Sequence, residues 1–432
     1  MRELNTEILV VGAGPAGIAA AVSAERAGAR ALLVDMQAEP GGQVWRGQWN
    51  NAADPKARRW LAALRDSPVS IRYGLRLVDF AAPGVAVFDG ADGPLRVRCE
   101  RLIVAAGARE RLLPFPGWTL PGVFGAGGLQ VLVKNGWPVA GQRIVVAGSG
   151  PLLLAAAATL RKAGAQVLRI AEQTGAADLA RFAAGLAPHP GKWLQAAALR
   201  WRLAGVPYRC NAWVERADGT ERLESVRLRM GRTVERIDCD ALAVGFGLVP
   251  NTEIAQLLGC ELRDGAVVVD AHQHSTVAGI YCAGEICGIG GVDQALAQGE
   301  VAGRAAAGSV ERPRALQRDC ARSARFAQTL RKHFSLRDEL RGLAAADTVL
   351  CRCENVRYAD AAACRSQRDA RLQTRLGMGH CQARLCGAAG EFLFGWTAAT
   401  PRPPLAPAAL ACFTESTTEP TSDPEPPAQE SA

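Results

Sequence analysis

The 432 residues exceed one typical domain, and 49% apolar with 21% charged residues is the balance of a folded protein, which excludes a disordered or fibrous chain. The formal charge of +8 arises from 50 basic and 42 acidic residues spread along the sequence, with no basic block alternating with aromatics, so nucleic acid is excluded as a partner. The longest apolar runs, such as Pro151–Leu160, fall well short of the roughly 20 residues that a bilayer helix needs.

In chain order, Ile8–Ala21 could be mistaken for a signal-peptide core, but Glu3 and Glu7 precede it and three glycines interrupt it. It reads instead as a strand, Glu7–Val11, then Gly12-Ala13-Gly14-Pro15-Ala16-Gly17 and an alanine-rich helix to about Ala27. A second strand, Ala31–Val34, ends at Asp35. This is a complete dinucleotide fingerprint. Gly12 permits the tight turn, Gly14 admits a pyrophosphate, Gly17 lets helix and strand approach, and the Asp35 carboxylate is placed for ribose hydroxyls. Gly41-Gly42-Gln43 follows, and Ile103–Arg109 ends a later strand in Ala105-Ala106-Gly107-Ala108-Arg109.

The pattern then repeats. Arg143–Ala147 leads into Gly148-Ser149-Gly150-Pro151-Leu152-Leu153, another alanine-rich helix and a strand, Ala165–Ala171, that ends at Glu172. Leu153 replaces the third glycine, and Glu172 would repel a 2′-phosphate. Two readings stay open for this second site: NAD or another adenine nucleotide, or a retained fold that holds none. Ala241–Gly247 is a further strand before Pro250-Asn251-Thr252, and Gly279–Glu285 ends another apolar run. Val310–Ala345 has helical spacing with a basic, solvated face and predicts a helical connector.

Thirteen cysteines without a secretion signal predict a reducing compartment, the cytoplasm, where clustered thiols serve metal rather than disulfides. The cluster is Cys351-Arg352-Cys353 with Cys381 and Cys386. Residues i and i+2 of an extended loop point the same way, so Cys351 and Cys353 can reach one iron, while C-x-C suits structural zinc poorly. Glycines around Met378 allow amides to turn toward the sulfurs. Cys364, expected on a helix, reads as core, and Cys282 and Cys287 as packing residues. Pro401-Arg402-Pro403-Pro404 starts an extended segment, and Thr414–Ala432 is acidic, proline-rich and expected to be disordered. The five histidines show no metal spacing, and no catalytic acid or base stands out.

The two glycine fingerprints, Gly41-Gly42-Gln43, Ala106-Gly107 and Gly284-Glu285 resemble the FAD-dependent pyridine nucleotide-disulfide oxidoreductase superfamily. The resemblance implies an α/β fold of two dinucleotide-binding (Rossmann-like) domains, the second inserted in the first: residues 1–115 with 246–310, and 116–245. It implies FAD on Gly12, Gly14, Ala16, Gly17, Asp35, Gly42, Gln43, Ala106, Gly107, Gly284 and Glu285, and a second nucleotide, if any, on Gly148, Gly150 and Glu172. The disulfide reductases of that superfamily carry a CxxC pair that Gly41–Asn50 and Gly148–Arg209 lack. Cys351–Cys386 resembles a [2Fe-2S] domain of the bacterioferritin-associated ferredoxin type, spanning 346–396 after a connector at 311–345 and before an extended to disordered tail at 397–432. Taken over residues 5–400, the order of motifs resembles the alpha subunits of heteromeric dye-linked amino-acid dehydrogenases, with D-hydroxyproline as the expected amine. It implies an amine-oxidising flavoprotein beta subunit, a small ferredoxin-like subunit, and peripheral contact with the inner membrane through the acceptor. An NADH-dependent reductase feeding a ferredoxin, or a hydrogen cyanide synthase-like subunit, is the alternative.

Overall fold

A computed structural model describes residues 2–309, 311, 313–397 and 400–414. It opens with β1 (Arg2–Val11), α1 (Pro15–Arg26), β2 (Ala31–Val34), α2 (Pro55–Arg65), β3 (Ser70–Arg72), β4 (Arg76–Ala82), β5 (Val85–Asp89) and β6 (Leu95–Val104). These strands form a sheet in the order β3-β2-β1-β6-β5-β4. β1 is longer than the apolar run Glu7–Val11 because its first residues pair in parallel with β6, from Arg2↔Leu95 onward. The chain leaves this unit through β7 (Ala108–Glu110).

The second unit contains β8 (Val123–Gly125), α3 (Ala126–Lys134), β9 (Arg143–Gly148), α4 (Leu152–Lys162), β10 (Gln166–Glu172), α5 (Ala176–Gly185), α6 (Pro190–Arg202) and β11 (Tyr208–Cys210). An antiparallel ribbon follows, β12 (Ala212–Asp218), β13 (Ser225–Met230) and β14 (Thr233–Asp238), and then β15 (Ala241–Gly245). The sheet runs β11-β10-β9-β15-β8, all parallel. β16 (Leu248–Pro250) returns antiparallel to β7, so exit and re-entry lie side by side.

After α7 (Glu253–Leu257) and the hairpin β17 (Leu262–Arg263)–β18 (Ala266–Val267), β19 (Ile280–Cys282) rejoins the first sheet beside β6. α8 (Val292–Ala306) then crosses α1 at very short range. A Cβ on Gly299 would lie 2.1 Å from the Ala16 carbonyl oxygen, and one on Gly303 2.1 Å from that of Ala20. Ten consecutive residues of α1, Pro15–Ala24, are buried between this helix and the sheet.

α9 (Arg314–His333) covers part of the expected connector. The expectation of a helix through Ala345 is corrected: His333 ends it, and Phe334–Arg337 crosses the second unit before a 3-10 turn at Asp338–Gly342. The cysteine-bearing unit is β20 (Val349–Cys351), β21 (Val356–Arg357), α10 (Tyr358–Ala362), α11 (Gln367–Thr374) and α12 (Cys386–Phe394). Its core contains Leu350, Val356, Ala361, Leu376, Ala389 and Trp396. Cys364 lies just past α10 rather than on a helix; it is buried there, and its thiol donates to the Asp360 carbonyl at 3.4 Å.

Residues 400–414, within the segment expected to run from extended to disordered, fold back on the first unit. The Leu405 amide donates to the Val78 carbonyl at 2.8 Å, and Cys412 is buried against Val78 and Val87. The disorder expected beyond Thr414 lies outside the described residues. Among the described residues no helix is long and apolar enough to cross a membrane.

Trp118 joins the cysteine-bearing unit to the second one: its indole N–H donates to the Val349 carbonyl at 2.6 Å and its ring underlies the Arg352 guanidinium. Trp118→Phe keeps an aromatic face and loses the indole N–H donor. We expect a loss of about 1–2 kcal/mol in urea unfolding, the usual cost of a part-buried carbonyl left unpaired.

Candidate functional site

The first fingerprint lies where β1, β2, β6 and β19 all present their carboxyl ends, the usual ligand crevice of such a sheet. Gly12 has φ +106, and a Cβ there would sit 2.4 Å from the Ala105 carbonyl oxygen. A Cβ on Gly17 would fall 1.7 Å from the Gly12 carbonyl oxygen, so both glycines are sterically required. Gly14 differs: nothing lies within 4 Å of where its Cβ would be. It occupies the N-cap of α1 with no side-chain cap, so the first-turn amides face an open space suited to a phosphate.

Asp35 is buried, its Oδ2 accepting from the Ala13 amide at 2.5 Å and its Oδ1 from the Gln37 amide at 2.7 Å. Burial raises its pKa, against the pull of those two amides. A raised carboxyl contributes stability below its unfolded value and loses it as pH rises through the folded one. Asp35→Asn is therefore expected to flatten the decline in thermal midpoint from roughly pH 4 upward, read as the difference between variant and parent curves.

The remaining first-site positions gather on the same rim, with two exceptions. Gly42 lies against Gly14, its would-be Cβ 3.0 Å from the Gly14 Cα, and Gln43 beside it is exposed. The Ala106 carbonyl accepts from Asn251 Nδ2 at 2.9 Å, and the Gly107 carbonyl from the Asn251 amide at 3.0 Å. Gly284, at φ +83, donates its amide to Gln298 Oε1 at 3.0 Å. Ala16 is engaged in helix packing, beneath Gly284 and Gly299. Glu285 turns inward, its pKa raised by burial and its carboxylate bonded to the Gly291 amide.

Among the described residues, three buried polar atoms near this rim have no hydrogen-bond partner: Trp45 Nε1, Arg46 Nε and Tyr73 Oη. Tyr73 is pushed up to about 12 by burial and by the nearby Asp35 and Glu39 charges. Orphaned donors beside an open helix N-terminus fit a polar ligand such as a dinucleotide. Trp45 and Arg46 directly follow Gly41-Gly42-Gln43, a clue the sequence offered and motif reading passed over.

The second fingerprint has the same backbone and a different occupancy. Gly148 fits only because a Cβ would lie 1.9 Å from the Gly245 carbonyl oxygen. Leu153, which replaces the third glycine, is fully buried and uses the space that Gly245 leaves on β15. Glu172 is fully buried, with Oε2 accepting from the Gly150 amide at 2.7 Å and Oε1 from the Thr174 amide at 2.9 Å. Burial raises its pKa, and the Tyr208 side chain also bonds to it. Gly150 carries the Phe334 ring, 3.8 Å from where its Cβ would be.

The four clustered cysteines come together as two thiol pairs, Cys351 with Cys386 and Cys353 with Cys381. Cys351 is held down to about 5 by a bond from the Cys386 thiol and by the amides of Gly377, Glu354 and Cys353, against burial. Cys386 is raised correspondingly, sharing its proton with Cys351. Gly379 lets its loop lie on Cys353, since a Cβ there would be 2.3 Å from the Cys353 Cβ. Among the described residues no group of three or more His, Cys, Asp or Glu side chains is arranged to hold a metal ion. As they stand the sulfurs are two pairs rather than one open cage. The donor chemistry is nonetheless that of a thiolate site: soft sulfurs, one already favouring the anion, with backbone N–H groups aimed at it.

A link that the motifs did not reveal connects this cluster to the first site. Arg109, one residue beyond the Ala106–Ala108 turn, donates from Nε to the Arg384 carbonyl at 3.0 Å. Its Nη1 reaches Asn251 Oδ1 at 2.8 Å and Glu253 Oε1 at 2.9 Å. Arg384 lies between Cys381 and Cys386, and its Nη2 donates to the Leu405 carbonyl at 2.6 Å. Elsewhere, Cys282 pairs with Cys260 rather than with Cys287.

Residues 6–303 match the family described as pyridine nucleotide-disulphide oxidoreductase. The chain is 31% identical to hydrogen cyanide synthase subunit HcnB of Pseudomonas aeruginosa, over 96% of this chain and 100% of that one. It is 34% identical to one of the subunits of opine oxidase from Rhizobium meliloti, over 88% of this chain and 90% of that one. Among solved structures, L-proline dehydrogenase from P. horikoshii has the same fold, with a TM-score of 0.66 at 19% identity over 96% of this chain and 80% of that one. The family binds FAD. The chain therefore belongs to the pyridine nucleotide-disulphide oxidoreductase family, as a flavin oxidoreductase related to one of the subunits of opine oxidase.

Proposed function

We propose that this chain is the electron-relaying subunit of a cytoplasmic amino-acid dehydrogenase, with FAD in its first nucleotide unit and a [2Fe-2S] cluster on Cys351, Cys353, Cys381 and Cys386. The FAD unit comprises 1–115 and 246–310, the inserted unit 116–245, the connector 311–345 and the cluster unit 346–396. The amine is a secondary amino acid, D-hydroxyproline being the one we favour, oxidised on a separate flavoprotein subunit, and the acceptor is not oxygen. A bound flavin accepts a hydride and a two-iron cluster passes electrons singly.

This chain's residues supply the rest. The open amides at Gly14 and the start of α1 would hold the pyrophosphate, and Asp35 keeps a free lone pair on each oxygen for the ribose. Gly42 and Gly107 leave room for the ligand to approach the backbone closely. Two thiol pairs, Cys351 with Cys386 and Cys353 with Cys381 in place of the Cys351–Cys353 pair that the C-x-C spacing suggested, match the demand of two irons for two thiolates each.

The Arg109 bridge carries the reading. One guanidinium fastens the loop between Cys381 and Cys386 to the strand that leaves Ala106-Gly107, so the two proposed cofactor sites share a rigid wall. Removing it by Arg109→Met strips Glu253 of its partner at a site where both side chains are about four-fifths buried. We expect a loss of about 2–3 kcal/mol in urea unfolding, toward the low end for a broken buried pair, with faster alkylation of Cys381. Arg109→Lys should recover part of both.

The assignment itself is tested on anaerobically purified protein. The reading requires a yellow chromophore with ~2 iron and ~2 labile sulfide per chain, and dye reduction that begins only when an amine-oxidising partner and D-hydroxyproline are added. Colourless, iron-free protein would overturn it.

A further inference from the structure

The duplicated fold contains its own control. Gly14 and Gly150 are equivalent residues of the two fingerprints, each at the point where a pyrophosphate approaches the backbone. Around Gly14 the space is open; at Gly150 it is filled by the Phe334 ring, which also packs edge-on against Phe182 at 4.8 Å. The filling continues past the glycine loop. Ser149 Oγ donates to the Phe334 carbonyl at 3.5 Å, and Gln173 Nε2 bridges Ser149 Oγ at 3.0 Å and the Ser335 carbonyl at 2.9 Å. The Arg337 amide donates to Gln173 Oε1 at 3.1 Å, and its guanidinium bonds to the Gln173 carbonyl and to Asn211 and lies 4.7 Å over the Trp213 ring.

These contacts span both halves of an adenosine diphosphate site. Phe334 takes the phosphate end, above the N-terminus of α4, and Ser335–Arg337 takes the ribose end, where β10 finishes at Glu172. Glu172 and Gln173 are fully buried, and the Glu172 carboxylate already accepts from two amides of its own loop.

We infer that Phe334–Arg337 is a built-in occupant of the second nucleotide fold, a strap that closes it to NAD and to other adenine nucleotides. The second unit keeps its Rossmann shape to support the strap and the cysteine-bearing unit that follows it, and pyridine nucleotide has no entry to this chain there. This conclusion concerns the second fingerprint alone and stands whether or not the electron-relay reading does.

The test uses the full chain loaded with FAD, so that the first fingerprint is taken, and calorimetric titration with NAD⁺. The parent protein is expected to bind no NAD⁺ at millimolar concentration. A closed strap multiplies apparent affinity by its open fraction, so Phe334→Ala with Arg337→Ala should raise affinity at least ~10-fold. Adding Gly150→Asp to that variant should abolish the gain, which places it at the second fingerprint. Hydrogen exchange on the parent supplies the measurement that needs no variant: the Arg337 amide should exchange slowly, and equally slowly with NAD⁺ present. The inference is overturned if the parent binds NAD⁺ in the micromolar range and Gly150→Asp removes that binding. It is also overturned if a folded strap variant gains nothing, or if the Arg337 amide exchanges as fast as a free peptide.

Discussion

Gly303→Val is expected to cost the protein about 3 kcal/mol or more and to release its flavin. The valine Cβ would sit 2.1 Å from the Ala20 carbonyl oxygen and 2.9 Å from its carbon, and Gly299, one turn away, has the same relation to Ala16. Both obstacles are backbone, so no rotamer change relieves them, and α8 must lift from α1. Overpacking a core ordinarily costs 1–3 kcal/mol, and an unyielding neighbour places this change at the top of that range or beyond. Lifting α8 also displaces Gln298, which accepts from the Gly284 amide, and so loosens the rim proposed to hold the cofactor. Differential scanning calorimetry and bound-flavin absorbance read both effects. Gly191→Ala is the control, since nothing lies within 4 Å of a Cβ there. Equal behaviour of the two variants would remove the helix contact from the account.

On the proposed cluster assignment, Cys351→Ser is expected to empty the chain of iron and labile sulfide while leaving FAD bound. Cys351 favours the anion, held down by the Cys386 thiol and three amides, and a serine oxygen at this position stays protonated. Changes in groups that merely orient a ligand cost ~10–100-fold in metal affinity, and losing the ligand should exceed that. Cys386→Ser should match it, because the two sulfurs form one pair. Cys364→Ser separates ligation from packing: that thiol is buried in the same small core, yet it bonds only to the Asp360 carbonyl, so iron content should survive. Iron retained in Cys351→Ser would sink the cluster assignment, whatever happens to dye reduction.

Both nucleotide folds were legible because their signals are local. A strand, a glycine turn and a helix lie within about twenty residues, and Gly12, Gly17 and Gly148 are where a Cβ would strike backbone. The thiol pairs were legible as a set of four for the same reason, although which sulfur meets which was not. What sequence reading missed is long-range. Nothing in Phe334-Ser335-Leu336-Arg337 announces that it lies on Gly150 or Gln173, because the residues it meets lie more than a hundred positions earlier. Helical periodicity carried the connector reading past His333, where the chain turns extended to make those contacts. Arg109 looked like the end of a motif, and its bond to Arg384 depends on two units docking. Pro401-Arg402-Pro403-Pro404 announced an extended segment, but nothing local to it announces that Leu405 and Cys412 find partners on β4 and β5.

The α1–α8 crossing bears on how the protein is made. Arg26 ends the first helix and Val292 begins the second, so 265 residues (292 − 26 − 1) separate them. At ~5–20 residues per second a ribosome needs roughly 13–50 s to deliver the missing half of that contact. During this interval the nascent N-terminal segment must keep the apolar stretch Pro15–Val22 of its first helix without its cover, while the contiguous middle unit can condense. The α1 surface under Gly299 and Gly303 therefore stays uncovered until α8 has been synthesised.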